Sequence, residues 1–149
     1  MAYLIRPAEP DEAARVRALV REAYALYVPR MGREPAPMLA DYAALIGEGH
    51  VVVAEEDGAL LGVMVSYPRD DHLHVENVAV AKSAQGQGIG RALMDRAEAK
   101  AQSLALRSIK LYTNEAMEEN FPFYEALGYA ETGRGVEDGY KRVYFKKDL

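Results

Sequence analysis

The chain has 149 residues, 50% of them hydrophobic and 28% charged, which suits one globular domain with a sizeable core. It contains no cysteine, which excludes a disulfide scaffold, a cysteine-ligated zinc site and a thiol nucleophile, and agrees with a reducing compartment. A formal net charge of -5 argues weakly against nucleic acid as a partner, because phosphate neutralisation needs a basic face, and suits a cationic partner such as an amine.

Tyr3 to Arg6 reads as a short strand. Pro10 and Asp11 open a helix whose Val16, Leu19, Val20, Ala23, Tyr24 and Tyr27 recur at helical spacing. Pro29 is expected to end that helix, and a turn-rich loop with Arg30, Met31, Gly32 and Arg33 leads to Pro37. A second helix is predicted from about Met38 to Ile46, with Leu39, Tyr42, Ala43 and Ile46 inward and Gly47 near its end. Val51 to Ala54 and Leu60 to Tyr67 flank Asp57-Gly58, a hairpin signal. Pro68 to Asp71 forms the next turn, before the strand Leu73 to Val80. After a glycine-rich segment, a long helix carries Ile89, Leu93, Ala97, Ala101 and Leu104 on one face. Ser108 to Thr113 is a strand, and a short helix covers Asn120 to Leu127 with Gly128 as its cap. Two last strands, Tyr129 to Thr132 and Lys141 to Lys146, are joined by a loop from Gly133 to Gly139. No repeat, low-complexity tract or linker divides the chain, so residues 1–149 are read as one domain. No leader pattern and no apolar run near the roughly 20 residues that span a bilayer are present, so a cytoplasmic location without membrane contact is expected.

Gln85-Gly86-Gln87-Gly88-Ile89-Gly90, between a strand and a long helix, is the most informative stretch. Glycines let backbone N–H groups approach an anion, and the following helix aims its unpaired N–H groups at the same spot. The same glycines also serve a helix that packs closely on a sheet. The nucleoside-triphosphate loop, which needs Gly-x-x-x-x-Gly-Lys, is absent. The dinucleotide fingerprint fails at Arg91, where its third glycine belongs, and at Lys82 to Gln85, which separate strand from glycines. His50, His72 and His74 do not form a metal set: His72 and His74 share one strand face, but no third ligand is apparent.

A third pattern fits. Gln85-x-x-Gly88-x-Gly90, preceded by Glu76-Asn77-Val78-Ala79-Val80 and followed by the run Asn120 to Tyr129, resembles the GCN5-related N-acetyltransferase superfamily. The start Tyr3 to Ala8 and the hairpin Val51 to Val65 extend the likeness over most of the chain. The resemblance implies an α/β (α+β) fold, with a mixed central sheet of about six to seven strands flanked by about four helices. It further implies acetyl-CoA as cosubstrate with no metal, direct acetyl transfer to a primary amine in a ternary complex, and an assembly that in relatives is commonly a homodimer.

Residue by residue, the resemblance implies that Gln85, Gly86, Gln87, Gly88, Ile89, Gly90 and Arg91 hold the diphosphate. Val78, Ala79 and Val80 offer backbone groups to the pantetheine arm, with the Val78 N–H toward the acetyl oxygen. Asn114, Asn120 and Phe123 face the cofactor, although Met117 and Asn120 stand where the family more often has an asparagine and a small residue. Tyr124 is the candidate acid for the departing thiolate, against core packing as the alternative. Glu76 is the candidate base acting through water, against a carboxylate paired with a cation or His74. A lysine-like amine of pKa about 10.4 carries roughly 4–5 kcal/mol against attack at pH 7 unless it is helped to lose its proton. The acceptor is expected between Tyr24 to Met38, where Tyr24 and Tyr27 line its path, and the Gly133 to Gly139 loop, where Glu137 and Asp138 attract a cation, against core tyrosines and a solvated loop as the alternative. A non-catalytic acyl-CoA-binding sensor on the same fold is the alternative; it has no need of Tyr124 or Glu76.

Overall fold

Seven extended segments, the central ones rich in β-branched residues, pair into one sheet in the computed structural model, which describes residues 3–149. The strands are β1 (Leu4–Pro7), β2 (Val51–Glu56), β3 (Ala59–Arg69), β4 (His72–Val80), β5 (Ser108–Asn114), β6 (Ala130–Glu137) and β7 (Tyr140–Asp148). Their order across the sheet is β1-β2-β3-β4-β5-β7-β6. Only β4 and β5 run parallel, joined by the crossover helix α4 (Ile89–Ser103), so the sheet is mixed as the resemblance implies.

Each face of the sheet buries its own apolar set. Leu73, Val75, Ile89, Leu93, Met94 and Phe145 form the core under α4 and under α5 (Asn120–Ala126). Val16, Val20, Tyr42, Val53, Val63 and Val65 form the other core, under α1 (Ala13–Tyr24) and α3 (Tyr42–Gly47). With the single turn α2 (Val28–Met31), there are five α-helical segments among the described residues, four of them longer than one turn.

Several expected boundaries move. Pro29 does not end a helix; it sits in the first turn of α2, where its missing N–H costs nothing. The second helix begins at Tyr42 rather than Met38, because Asp41 caps it by accepting from the Ala44 N–H at 3.1 Å. Leu39, expected inward, therefore lies outside the helical stripe and is 61% exposed, and Ala43 is exposed as well. Leu104 follows the last turn of α4 and is also exposed. Pro68 and Arg69 continue β3 opposite Leu73 and His72, so the turn shrinks to Asp70-Asp71. The expected Gly133 to Gly139 loop is mostly strand, and β6 returns to β7 through the tight turn Asp138-Gly139.

Where β1 meets α1, the nearly buried Glu12 receives both terminal nitrogens of Arg6, at 2.8 and 2.9 Å, and the Glu9 N–H at 2.7 Å. The hydrogen bonds from Arg6 hold the Glu12 carboxyl down at about 2. A depressed folded-state pKa means that this stabilisation is present above the ordinary carboxyl value of about 4.5 and is lost as pH falls toward 2. Arg6 is partly solvent-exposed, which weakens the pair relative to a dry one. Glu12→Gln is expected to cost about 1–3 kcal/mol at pH 7, with the difference from the parent shrinking below pH 4. Urea unfolding of both proteins between pH 3 and pH 7 checks this.

Candidate active site

The pairing of β4 changes character halfway along. His72 to Val75 pair with Ser108 to Leu111 of β5, after which β5 continues beside β7 alone and Glu76–Val80 have no β5 partner. On the other edge, Asn77 stands opposite Val65 and Val75 opposite Ser66, so Glu76 is an extra, bulged residue. The bulge shifts the side-chain alternation by one. Leu73 and Val75 belong to the core under α4, and so do Val78 and Val80, which are of opposite parity. Asn77 and Ala79 consequently face α1 and α3.

The split in the sheet opens a groove of about 550 Å³ lined by Val78, Ala79, Val80, the glycine turn, Phe123 and Tyr124. The Val78 carbonyl points into it and accepts the Tyr24 hydroxyl at 3.1 Å. In an extended strand the N–H and C=O of one residue share an edge, so the Val78 N–H lies on the same unpaired edge. The groove ends at the N-terminus of α4, where Gly88 caps without a side chain and the first-turn N–H groups have no intrahelical partner. Gly86 and Gly88 both have φ of 82°, and nothing lies within 4 Å of where a Cβ would stand. Such a cradle of free N–H groups at a helix N-terminus fits a diphosphate. Gln85, Gly86, Gly88, Ile89, Gly90 and Arg91 line it; Gln87 is exposed and does not.

A second, smaller cavity of about 40 Å³ lies on the opposite side of the split, walled by Glu76, Asn77, Tyr112, Tyr140 and Arg142 and roofed by Met31 and Pro35 to Pro37. Tyr24, Asn120 and Tyr124 line both cavities, so the two meet there. The Tyr124 ring packs against Phe123, Tyr129 and Phe145 at centroid distances of 5.1, 5.9 and 5.7 Å. Its hydroxyl makes no hydrogen bond among the described residues. Burial pushes the hydroxyls of Tyr124 and Tyr24 well above their ordinary value, so both stay protonated.

Glu76 Oε1 accepts the Tyr67 hydroxyl at 3.1 Å, and burial followed by Glu76 pushes that phenol up to about 12. Among the described residues, neither a cation nor His74 pairs with Glu76. His74 instead stacks between Tyr67 and Tyr112, at 5.3 and 5.5 Å, and burial, then Arg69, His72 and Arg142, push it down to about 4, which leaves it neutral at pH 7.

Other expected positions are redistributed. Asn114 lines the small cavity rather than the groove, and its carboxamide oxygen accepts the Ala116 N–H at 2.9 Å. Asn120 does not cap α5; it donates to Thr113 Oγ1 at 3.2 Å. Tyr27 lines the groove and not the small cavity. From the last two strands, the small cavity takes Tyr140 and Arg142 of β7 and no residue of Gly133 to Gly139. Glu137, expected to attract a cation, pairs with Arg142 at 3.3 Å. Sequence reasoning missed Asn77, Tyr112 and Arg142. It also missed the bulge, whose signal is the slip of apolar parity from Leu73 and Val75 to Val78 and Val80.

A model described as the acetyltransferase (GNAT) family matches residues 15–129. Among solved structures, the PaiA N-acetyltransferase of Thermoplasma acidophilum in complex with coenzyme A superposes with a TM-score of 0.84 at 16% identity, covering 100% of both chains. The ribosomal-protein-S18-alanine N-acetyltransferase of Escherichia coli gives 0.79 at 17% identity, over 99% of this chain and 94% of that one. A phosphinothricin acetyltransferase of Sinorhizobium meliloti in complex with AcCoA gives 0.75 at 20% identity, over 100% and 89%.

Proposed function

The chain belongs to the acetyltransferase (GNAT) family and is an acyltransferase, and from that premise we propose that it moves an acetyl group from acetyl-CoA to a primary amine by direct attack. The observation that carries this reading is the meeting of two cavities at a buried tyrosine whose hydroxyl has no partner among the described residues. A groove with a diphosphate cradle at one end holds one substrate, the small cavity holds the other, and Tyr124 stands between them. Acetyl-CoA supplies the acetyl group as a thioester. The turn Gln85–Arg91 binds its diphosphate, and the open edge at Val78 and Val80 binds its arm.

Three groups of the chain then act. Glu76, through water, takes the proton that the amine must lose. The Val78 N–H donates to the carbonyl oxygen as that oxygen gains charge, and its fixed orientation means no reorganisation is needed at that moment. Tyr124, kept protonated by burial, donates its hydroxyl proton to the departing sulfur.

Gly88→Glu tests the cradle. The substitution adds negative charge to the proposed anion site and a side chain to a backbone that favours glycine, so CoA affinity measured by calorimetry is expected to fall by about a hundredfold or more. Unchanged affinity in a folded variant overturns the groove assignment.

Tyr124→Phe keeps the ring packing and removes a hydroxyl that holds no protein group. Turnover, followed by release of free thiol, is expected to drop about ten- to a thousandfold with little change in melting temperature. The opposite pattern, intact turnover with lost stability, makes Tyr124 a core residue.

Glu76→Gln retains an oxygen to accept from Tyr67 but no basic group. Its rate is expected to fall most near pH 6 and to recover partly toward pH 10, as the amine deprotonates unaided. Profiles measured at saturating acetyl-CoA that run parallel for the two proteins remove Glu76 from the mechanism.

A further inference from the structure

The small cavity carries two opposite charges. Glu76 is on one wall; on another is Arg142, whose side chain is only 10% exposed and whose guanidinium lies 4.0 Å above the Tyr112 ring. A guanidinium this shielded is favoured by a nearby anion. Its one ion pair, at 3.3 Å, is to Glu137, whose side chain is 54% exposed and also accepts the Tyr144 hydroxyl. A guanidinium has five N–H donors in a planar fork, and the rest have no protein partner among the described residues. Arg142 therefore retains the capacity to receive a carboxylate in the cavity.

Asn77 gives an independent indication at the Glu76 end. The Tyr42 hydroxyl donates to the Pro37 carbonyl, so it can only accept from Asn77, which fixes Nδ2 toward Tyr42 at 3.1 Å. The Asn77 Oδ1 is left buried without a partner. A buried, unpaired acceptor on a residue that lines the cavity calls for an N–H donor.

The cavity's size limits what these groups hold. Its volume of about 40 Å³ is far smaller than the groove's 550 Å³. The roof is pinned: the Tyr140 hydroxyl donates to the Glu34 carbonyl at 2.8 Å, and Arg33 stacks 3.9 Å over the Tyr140 ring. A polypeptide or an aminoglycoside would have to project through the cavity's mouth or displace this roof, and a polyamine would bring its second cation against Arg142.

We propose that the acceptor is a small amino acid, its carboxylate held by Arg142 and its amine directed to Glu76 and Asn77. The proposal rests on the amine-acetylation reading above and adds the chemical class of the acceptor. Arg142 acts here as a specificity residue and takes no part in bond making.

The test measures kcat/KM for glycine and alanine against glycinamide and alaninamide, with spermidine as the polycation. The amides are the less basic amines, so a preference for the acids does not reflect more free amine. The parent protein is expected to favour the acids by about fiftyfold or more. Arg142→Gln should bring that ratio to within about threefold of unity, mainly through KM, and Arg142→Lys should restore part of it. Equal or better use of amides or spermidine by the parent overturns the proposal, as does an equal loss on acids and amides in Arg142→Gln. Calorimetry of alanine and alaninamide binding to the CoA-saturated protein needs no turnover. Alanine binding that depends on Arg142 without thiol release from any amine supports the pocket and refutes the transfer reading. Acetylation of other amines while alanine neither binds nor reacts does the reverse.

Discussion

The site depends on one departure from regular pairing: after Val75, β4 keeps β3 and loses β5. A strand edge in the middle of a sheet is ordinarily costly, because unpaired backbone groups away from water forfeit hydrogen bonds worth about 1–3 kcal/mol each. Here part of that deficit is met by side chains: Tyr24 serves the Val78 carbonyl at 3.1 Å, and Gln85 Nε2 approaches the Val80 carbonyl at 3.4 Å. The N–H groups on the same edge stay available to a substrate. The same gap separates α5 from β4 and gives the Phe123 and Tyr124 side chains a wall to face, so a pairing defect becomes a passage between two cavities.

The bulge at Glu76 complements the split. Without it, period-two alternation would continue the apolar faces of Leu73 and Val75 into Asn77 and Ala79 and turn the carboxamide toward α4. With it, Asn77 reaches Tyr42 of α3, Val78 and Val80 remain under α4, and Glu76 meets Tyr67 from the adjacent strand. One inserted residue thus sets Glu76 and Asn77 at the small cavity and Val78 and Val80 at the groove along the same strand. Substituting Glu76 changes a side chain; deleting it would shift every later residue of β4 to the wrong face.

Much of this was legible in the residues, for identifiable reasons. Strong local signals, such as Asp57-Gly58 between apolar runs and the glycines before α4, report backbone conformations that few other residues adopt. The boundaries that moved depend on competition between local rules: Pro29 reads as a breaker until its place in a first turn is known, and Leu39 reads as core until Asp41 claims the cap. Gly133 and Gly135 looked like loop because an edge strand tolerates glycine. The second cavity was hidden most thoroughly. Arg142 and Asn77 lie far apart in sequence, and nothing local says that an arginine on a strand is buried against Tyr112 or that an asparagine oxygen lacks a partner.

The charge content of the site follows from its burial. Tyr24, Tyr42 and Tyr124 hold their protons because desolvation disfavours phenolate, and His74 stays neutral because desolvation and the nearby Arg69 and Arg142 disfavour imidazolium. None of them changes charge between pH 6 and pH 9. The polar surface at the junction is therefore made of neutral hydroxyls and amides, with formal charge confined to Glu76 and Arg142 on the cavity's walls. In a partly desolvated space, two opposite charges held apart favour a substrate carrying the complementary pair and oppose one carrying a single sign. The chain's overall acidity of -5 sets the long-range field, whereas the field inside the small cavity is set by this pair, because close, partly desolvated charges are screened least.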